Sequence, residues 1–222
     1  MSHSGLSRSI LFIITCVVLL SGCLNRETPV EQMYQVLEEV VSAESIFEEQ
    51  QDPLVTLEKN EKEIYNQIMA IGMKNHNEVV ELSDEALLMV DKREEHLQKE
   101  KDSLHQARNK FEQVVDIKER IDDDNQRKSA DELYNIMIQR YDAYDRLAKE
   151  YSKALINDKE LYTILKNTDL SFELLEEKVT ELNQKYMKVF EANEEFNKLT
   201  TKYNEKKRSF YNESGLKLES NK

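Results

Sequence analysis

From residue 28 onward, apolar positions along the chain recur at helical spacing. Thr28-Pro29-Val30-Glu31 marks a helix start: Thr28 can cap, Pro29 suits the first helical position, and Glu31 can close a capping box. Val30, Met33, Tyr34, Leu37, Val40 and Val41 follow on one face. Asp52-Pro53 reads as a second start, leading into a stripe of Leu57, Ile64, Ile68 and Ile71, with a kink or tight turn expected over 48–52. The next interruption is 72–77 (GMKNHN), and after it come Val79, Val80, Leu82, Leu87, Leu88 and Val90. A thinner seam of Leu97, Leu104, Phe111 and Val115 follows, and since the stretch 91–103 is nearly all charged, only a narrow core contact is expected there. Asp122-Asp123-Asp124-Asn125 reads as a turn.

Two later segments show seven-residue repeats. Tyr134, Tyr141, Ala148, Leu155 and Tyr162 form one row, with Met137, Tyr144, Tyr151 and Leu165 three behind, interrupted at Asp158. After capping residues at Thr168 to Ser171, a last helix carries Leu175, Leu182, Val189, Phe196, Tyr203 and Phe210. Breaks near 75, 124 and 169 divide the chain into four pieces of similar size, each ~65–70 Å long as a helix. The expected fold is all-α, an elongated antiparallel up-and-down bundle of four helices. The alternative is a three-helix bundle in which 53–122 forms one very long helix. The bundle is expected to span residues 29–212, with a disordered tail over 213–222.

Composition narrows the class further. The 222 residues include only four Gly and two Pro, against roughly 27 at average usage. That scarcity excludes turn-rich sheet architectures. No G-x-G-x-x-G or G-x-x-x-x-G-K loop occurs, nor H-E-x-x-H or G-x-S-x-G. His76, His96 and His105 lack metal-ligand spacing. No enzyme, metal or cofactor is expected. The tyrosine row could be a glycan-stacking stripe, but its heptad placement favours seam residues with hydroxyls at the rim.

Residues 1–22 form a separate unit. Arg8 precedes an apolar run from Ile10 to Leu20, a length that suits a secretory signal and is too short to span a bilayer. The run ends in Leu20-Ser21-Gly22-Cys23, which resembles the lipobox of bacterial lipoproteins. That resemblance implies cleavage before Cys23 and a diacylglyceryl group on its thiol, and two acyl chains suffice for stable anchoring. Residues 23–28 would form a lipidated tether, its five residues after the cysteine reaching at most ~18 Å. Loss of 1–22 removes Arg8 and leaves 30 Lys and Arg against 44 Asp and Glu, a charge of −14. Such a charge speaks against nucleic acid as a partner. The one basic cluster, Lys198, Lys202, Lys206, Lys207 and Arg208 against Glu205, is a candidate contact with an anionic surface. In an even-numbered bundle it returns toward the membrane.

The lipobox at 20–23, the short tether, a first helix of the type TPVEQMYQVLEEVVSAE and the Lys/Glu/Asn-rich remainder together resemble the YkyA-like lipoproteins of Bacillus and related Gram-positive bacteria, described as cell-wall binding. The resemblance implies a helical-bundle lipoprotein on the outer face of the cytoplasmic membrane. It brings no catalytic residues, and Cys23 is the one functional residue carried over. The leading expectation is a non-enzymatic envelope interaction module, held to the membrane through Cys23, with peptidoglycan, teichoic acid or an envelope protein as partner. The alternative is an accessory subunit that docks an envelope enzyme or transporter through a bundle face.

Overall fold

The chain folds into four long antiparallel arms, and each chain reversal is set by local chemistry. The computed structural model describes residues 27–72 and 75–216. The first arm comprises α1 (Pro29–Ala43) and α2 (Ser45–Ile71), and the second comprises α3 (His76–Phe111) and the short α4 (Val114–Lys118). The third and fourth are single helices, α5 (Asp124–Leu165) and α6 (Phe172–Glu213). Among the described residues no helix is long and apolar enough to cross a membrane.

α1 begins with a complete capping box. The Glu31 N–H donates to Thr28 Oγ1 at 3.2 Å, and the Thr28 N–H donates to Glu31 Oε2 at 2.7 Å. The first arm then bends at Glu44, so the turn expected over 48–52 and the second start at Asp52-Pro53 are corrected: α2 runs through Pro53 without a break. The cause of the bend lies on another arm. The Ser103 hydroxyl of α3 donates to the Ala43 carbonyl at 2.7 Å and accepts from the Phe47 N–H at 3.1 Å. It thus inserts between two groups that a straight helix would pair, which is a recognised source of helix bends. Pro53 forfeits only its own bond to the Glu49 carbonyl, and Glu49 is exposed, where water can satisfy that oxygen.

α2 closes on Gly72, whose φ of 58° favours glycine. α2 and α3 then lie side by side, which excludes a single helix over 53–122. Asp123 caps α5 by accepting from the Asn125 and Gln126 N–H groups, both at 2.9 Å. Ser171 caps α6 by accepting from the Leu174 N–H at 3.2 Å. α6 ends in a Schellman motif: Gly215 has a φ of 68°, and the Leu216 N–H donates to the Tyr211 carbonyl at 3.0 Å. Leu216 packs half-buried against the core. The rest of the expected tail, 217–222, lies outside the described residues.

α2 packs along α3 and α5 along α6, and α3 against α5 joins the two pairs. The tyrosine row is core: Tyr141, Tyr144, Tyr151 and Tyr162 are buried. Phe47, Tyr144 and Phe196 meet with ring centroids 5.6–5.8 Å apart, drawing three arms together through aromatic pairs worth about 0.5–1.5 kcal/mol each beyond their buried area. α6 is the least embedded helix. Its buried residues are Phe196, Tyr203, Phe210 and Tyr211, all in its C-terminal half.

Candidate functional site

Charged residues occupy core positions on three of the four arms. The buried row of α3 runs Val79, Ala86, Arg93, Glu100 and Ala107 at strict seven-residue steps. The companion row is Ser83, Val90, Leu97, Leu104 and Phe111. The heptad therefore passes straight through the charged stretch 91–103 and places Arg93 and Glu100 inside. On α2, Glu61 falls between Leu54 and Ile68, and on α5 Asp158 falls between Tyr151 and Leu165, again seven apart. Asp158, an interruption in the sequence pattern, is thus a functioning core position.

Arg93 is only 1% exposed, and its guanidinium makes four hydrogen bonds. Nε donates to the Tyr151 hydroxyl at 3.0 Å, and Nη1 donates to Glu61 and to Asp158 Oδ2, the latter at 3.2 Å. Nη2 donates to the Tyr186 hydroxyl at 2.8 Å and lies 3.5 Å from Glu58 Oε1. The tyrosines pass the bonding outward, with Tyr186 donating to Asp158, Tyr151 to Glu58 and Tyr162 to Glu61. The hydroxyls of Tyr162 and Tyr186 therefore point at the buried carboxylates Glu61 and Asp158, whereas that of Tyr151 points at the half-exposed Glu58. All four arms meet in this layer. With four of its five donors bonded and Nη2 also beside Glu58, the guanidinium is committed to groups of the chain itself.

Two further polar layers follow toward the α1 end. Glu100, 5% exposed, accepts from the Gln51 amide and, at 3.4 Å, from the Tyr144 hydroxyl. Among the described residues no cation pairs with it, and burial pushes its carboxyl up to about 7. Burial likewise raises Glu61, to about 7, and Asp158, against the opposing pull of Arg93. In the third layer Arg140 grips Glu44 at the α1–α2 bend with Nη1 and Nη2 at 2.7 and 2.9 Å, and its Nε donates to Thr200 of α6 at 2.9 Å. These layers hold register and charge. A heptad repeat allows neighbouring slips, and a buried polar partner set penalises every slip.

Of the residues singled out from sequence, Cys23 and the lipobox lie outside the described residues. The basic cluster divides in two. Lys206 pairs with Glu132 of α5 at 2.7 Å, and Lys207 pairs with Glu38 of α1 at 3.2 Å and lies 5.5 Å from the Tyr211 ring centre. Lys198, Lys202 and Arg208 are exposed. The cluster lies beside α1: Tyr211 donates to Glu38 at 2.9 Å and its ring lies 5.1 Å from that of Tyr34. Arg120, in the turn before α5, donates to Gln32 of α1 at 2.7 Å. The start of α1, the α4–α5 turn and the end of α6 therefore share one end of the bundle. Among the described residues no group of three or more His, Cys, Asp or Glu is placed to hold a metal ion.

Residues 28–213 match a protein family described as "Putative cell-wall binding lipoprotein", YkyA. The chain belongs to this family. It is also 35% identical over 201 residues to the "Uncharacterized lipoprotein YkyA" of Bacillus subtilis strain 168, covering 90% of each chain. A conserved protein of unknown function from Staphylococcus aureus, solved as a crystal structure, superposes with a TM-score of 0.62 at 19% identity. That likeness covers 83% of this chain and 96% of the other, and it shows the fold. The family match begins at Thr28, the residue that caps α1, and ends at Glu213, the last residue of α6. The family is thus coextensive with the four-arm bundle.

The buried residues Glu61, Arg93, Glu100, Asp158 and Arg140 were not legible from hydrophobic spacing, because each is polar where the pattern asks for an apolar residue. The signal that finds them is register: extending the heptad from Val79 and Ala86 lands on Arg93 and Glu100.

Proposed function

We propose that this chain is a non-enzymatic interaction module of the Gram-positive envelope, anchored by a diacylglyceryl group on Cys23 at the outer face of the cytoplasmic membrane and contacting the cell wall. The observation that carries this is the lipobox at 20–23, a few residues ahead of the α1 cap, in a chain whose family is described as "Putative cell-wall binding lipoprotein". The residues before Thr28 leave little slack, so the bundle stands directly on the membrane with the α1 end down. Four helices of about 42 residues would carry its far end some 60 Å outward. The buried charges serve this role mechanically, because each is satisfied internally and leaves the surface to bind.

The exposed cations Lys198, Lys202 and Arg208 belong to the lower half in this arrangement and contact anionic headgroups or wall polymer. Sedimentation with isolated peptidoglycan, before and after removal of teichoic acid, tests the wall contact. The mature chain is expected to pellet with wall lacking teichoic acid, since its charge of −14 is repelled by that polyanion. Failure to pellet with either preparation overturns wall binding and leaves an accessory subunit docked on an envelope protein.

A further inference from the structure

One flank of the bundle stands open. α6 packs along α5 and α2 along α3, but α2 and α6 barely touch, meeting at Phe47 and Phe196. Residues 172–195 of α6 include none that is buried, whereas Phe196, Tyr203 and Phe210 farther along are. On this uncovered half, large apolar side chains face water: Phe172 is 74% exposed, Met187 64% and Phe190 63%. At roughly 100° per residue these three and the half-buried Val179 fall within about 80° of one another. The ion pairs that α6 makes to α5, Lys178 with Glu160 and Arg146 with Glu195, come from the far side of the helix. The apolar row therefore lies on the flank facing away from α5, toward the gap beside α2. On α2, Val55 is 64% exposed at a level between Phe47 and Glu58.

Charge says what fits there. Residues 172–195 carry seven Glu against three Lys, a net charge of −4. Lys178 and Lys185 are already engaged by Glu181. Glu58, on the α2 side and reached by Arg93 and Tyr151, keeps 42% of its side chain exposed. The row from Phe172 to Phe190 is ~27 Å long, the length of an ordinary amphipathic helix. A second copy of this chain would oppose acidic surface to acidic surface, and polyanionic wall polymer is repelled in the same way. We infer that the α2–α6 flank is a docking groove for a cationic amphipathic helix of another envelope protein, its apolar face on Phe172, Met187 and Phe190 and its Lys or Arg residues toward the flanking glutamates and Glu58. The inference takes from the proposed function only that the bundle stands outside the membrane, and it does not depend on wall binding.

The test uses the full acylated chain in nanodiscs of zwitterionic lipid, with empty discs as blank. The probe is a fluorescent 18-residue Leu/Lys amphipathic helix, compared with the same peptide carrying Glu in place of Lys. Anisotropy is expected to show saturable binding of the Lys peptide that weakens at least tenfold between 0.05 and 0.5 M salt, and no binding of the Glu peptide. Met187→Ser with Phe190→Ser, both exposed sites, should raise Kd at least tenfold while the melting temperature and wall sedimentation stay as in the unmodified chain. Absence of saturable binding, equal binding of the two peptides, or an unchanged Kd in the double variant overturns the groove. Self-association of the peptide-free chain that the double variant abolishes would assign the face to a second copy and overturn it equally.

Discussion

Glu100 concentrates the tension between burial and charge in this bundle. It sits beside Gln51 and Tyr144, with donors but no paired cation among the described residues, and its carboxyl is raised from the ordinary value of 4.5 to about 7. Between those values the folded chain holds a proton that the unfolded chain releases. Stability from this group is therefore full below about pH 4.5 and is lost as pH rises toward 7. Glu61, raised by burial to about 7 as well, is expected to soften the bundle across the same window, and Asp158 shifts in the same direction. Glu100→Gln imitates the protonated form permanently. The variant should melt at the same temperature as the unmodified chain at pH 4.5 and higher at pH 8, by at most about 3 kcal/mol of stability. Thermal melts at the two pH values decide this, and a variant less stable at pH 8 would show that Glu100 is needed ionised.

Among the elements, α3 holds the others in register. Arg93 reaches α2, α5 and α6 from one side chain. Arg93→Met leaves Glu61 and Asp158 buried without a cation, a change expected to cost about 3–5 kcal/mol. The loss should be smaller at pH 5.5, where both carboxyls are protonated more readily, than at pH 8.5. Adding Glu61→Gln and Asp158→Asn should recover most of it. Urea unfolding at the two pH values measures this, and an equal loss at both would mean that Arg93 contributes packing and not charge. The four arms and their reversals were legible in the sequence because Thr28-Pro29, Gly72, Asp123 and Ser171 act locally. The bend at Glu44 was not, since Pro53 is a strong local signal while Ser103, which makes the bend, lies on another arm. The interior charges escaped because each is polar where hydrophobic spacing asks for an apolar residue, and only the heptad register extended from rows such as Val79 and Ala86 singles them out.

For the whole molecule, the shared end of α1, the α4–α5 turn and the C-terminus of α6 decides what stands near the membrane. Lys206 and Lys207 are tied to Glu132 and Glu38, so replacing them would disturb packing as well as charge. Lys198, Lys202 and Arg208 are the cleaner probes. A cation gains about 1 kcal/mol beside an anionic surface, within a Debye length of about 8 Å at physiological salt, so Arg208, nearest the shared end, is expected to contribute most and Lys198 least. The unacylated chain from residue 23 should bind anionic vesicles weakly, lose that binding at high salt, and lose it when all three are changed to Gln. Equal binding to neutral vesicles would remove these cations from the membrane contact. Everything said of orientation rests on Cys23, and its acylation is the most direct measurement. In cells grown with a labelled fatty acid, the unmodified chain should incorporate label and remain with the membrane, and Cys23→Ala should do neither. Label retained by Cys23→Ala, or none in the unmodified chain, would contradict the lipid-anchored account.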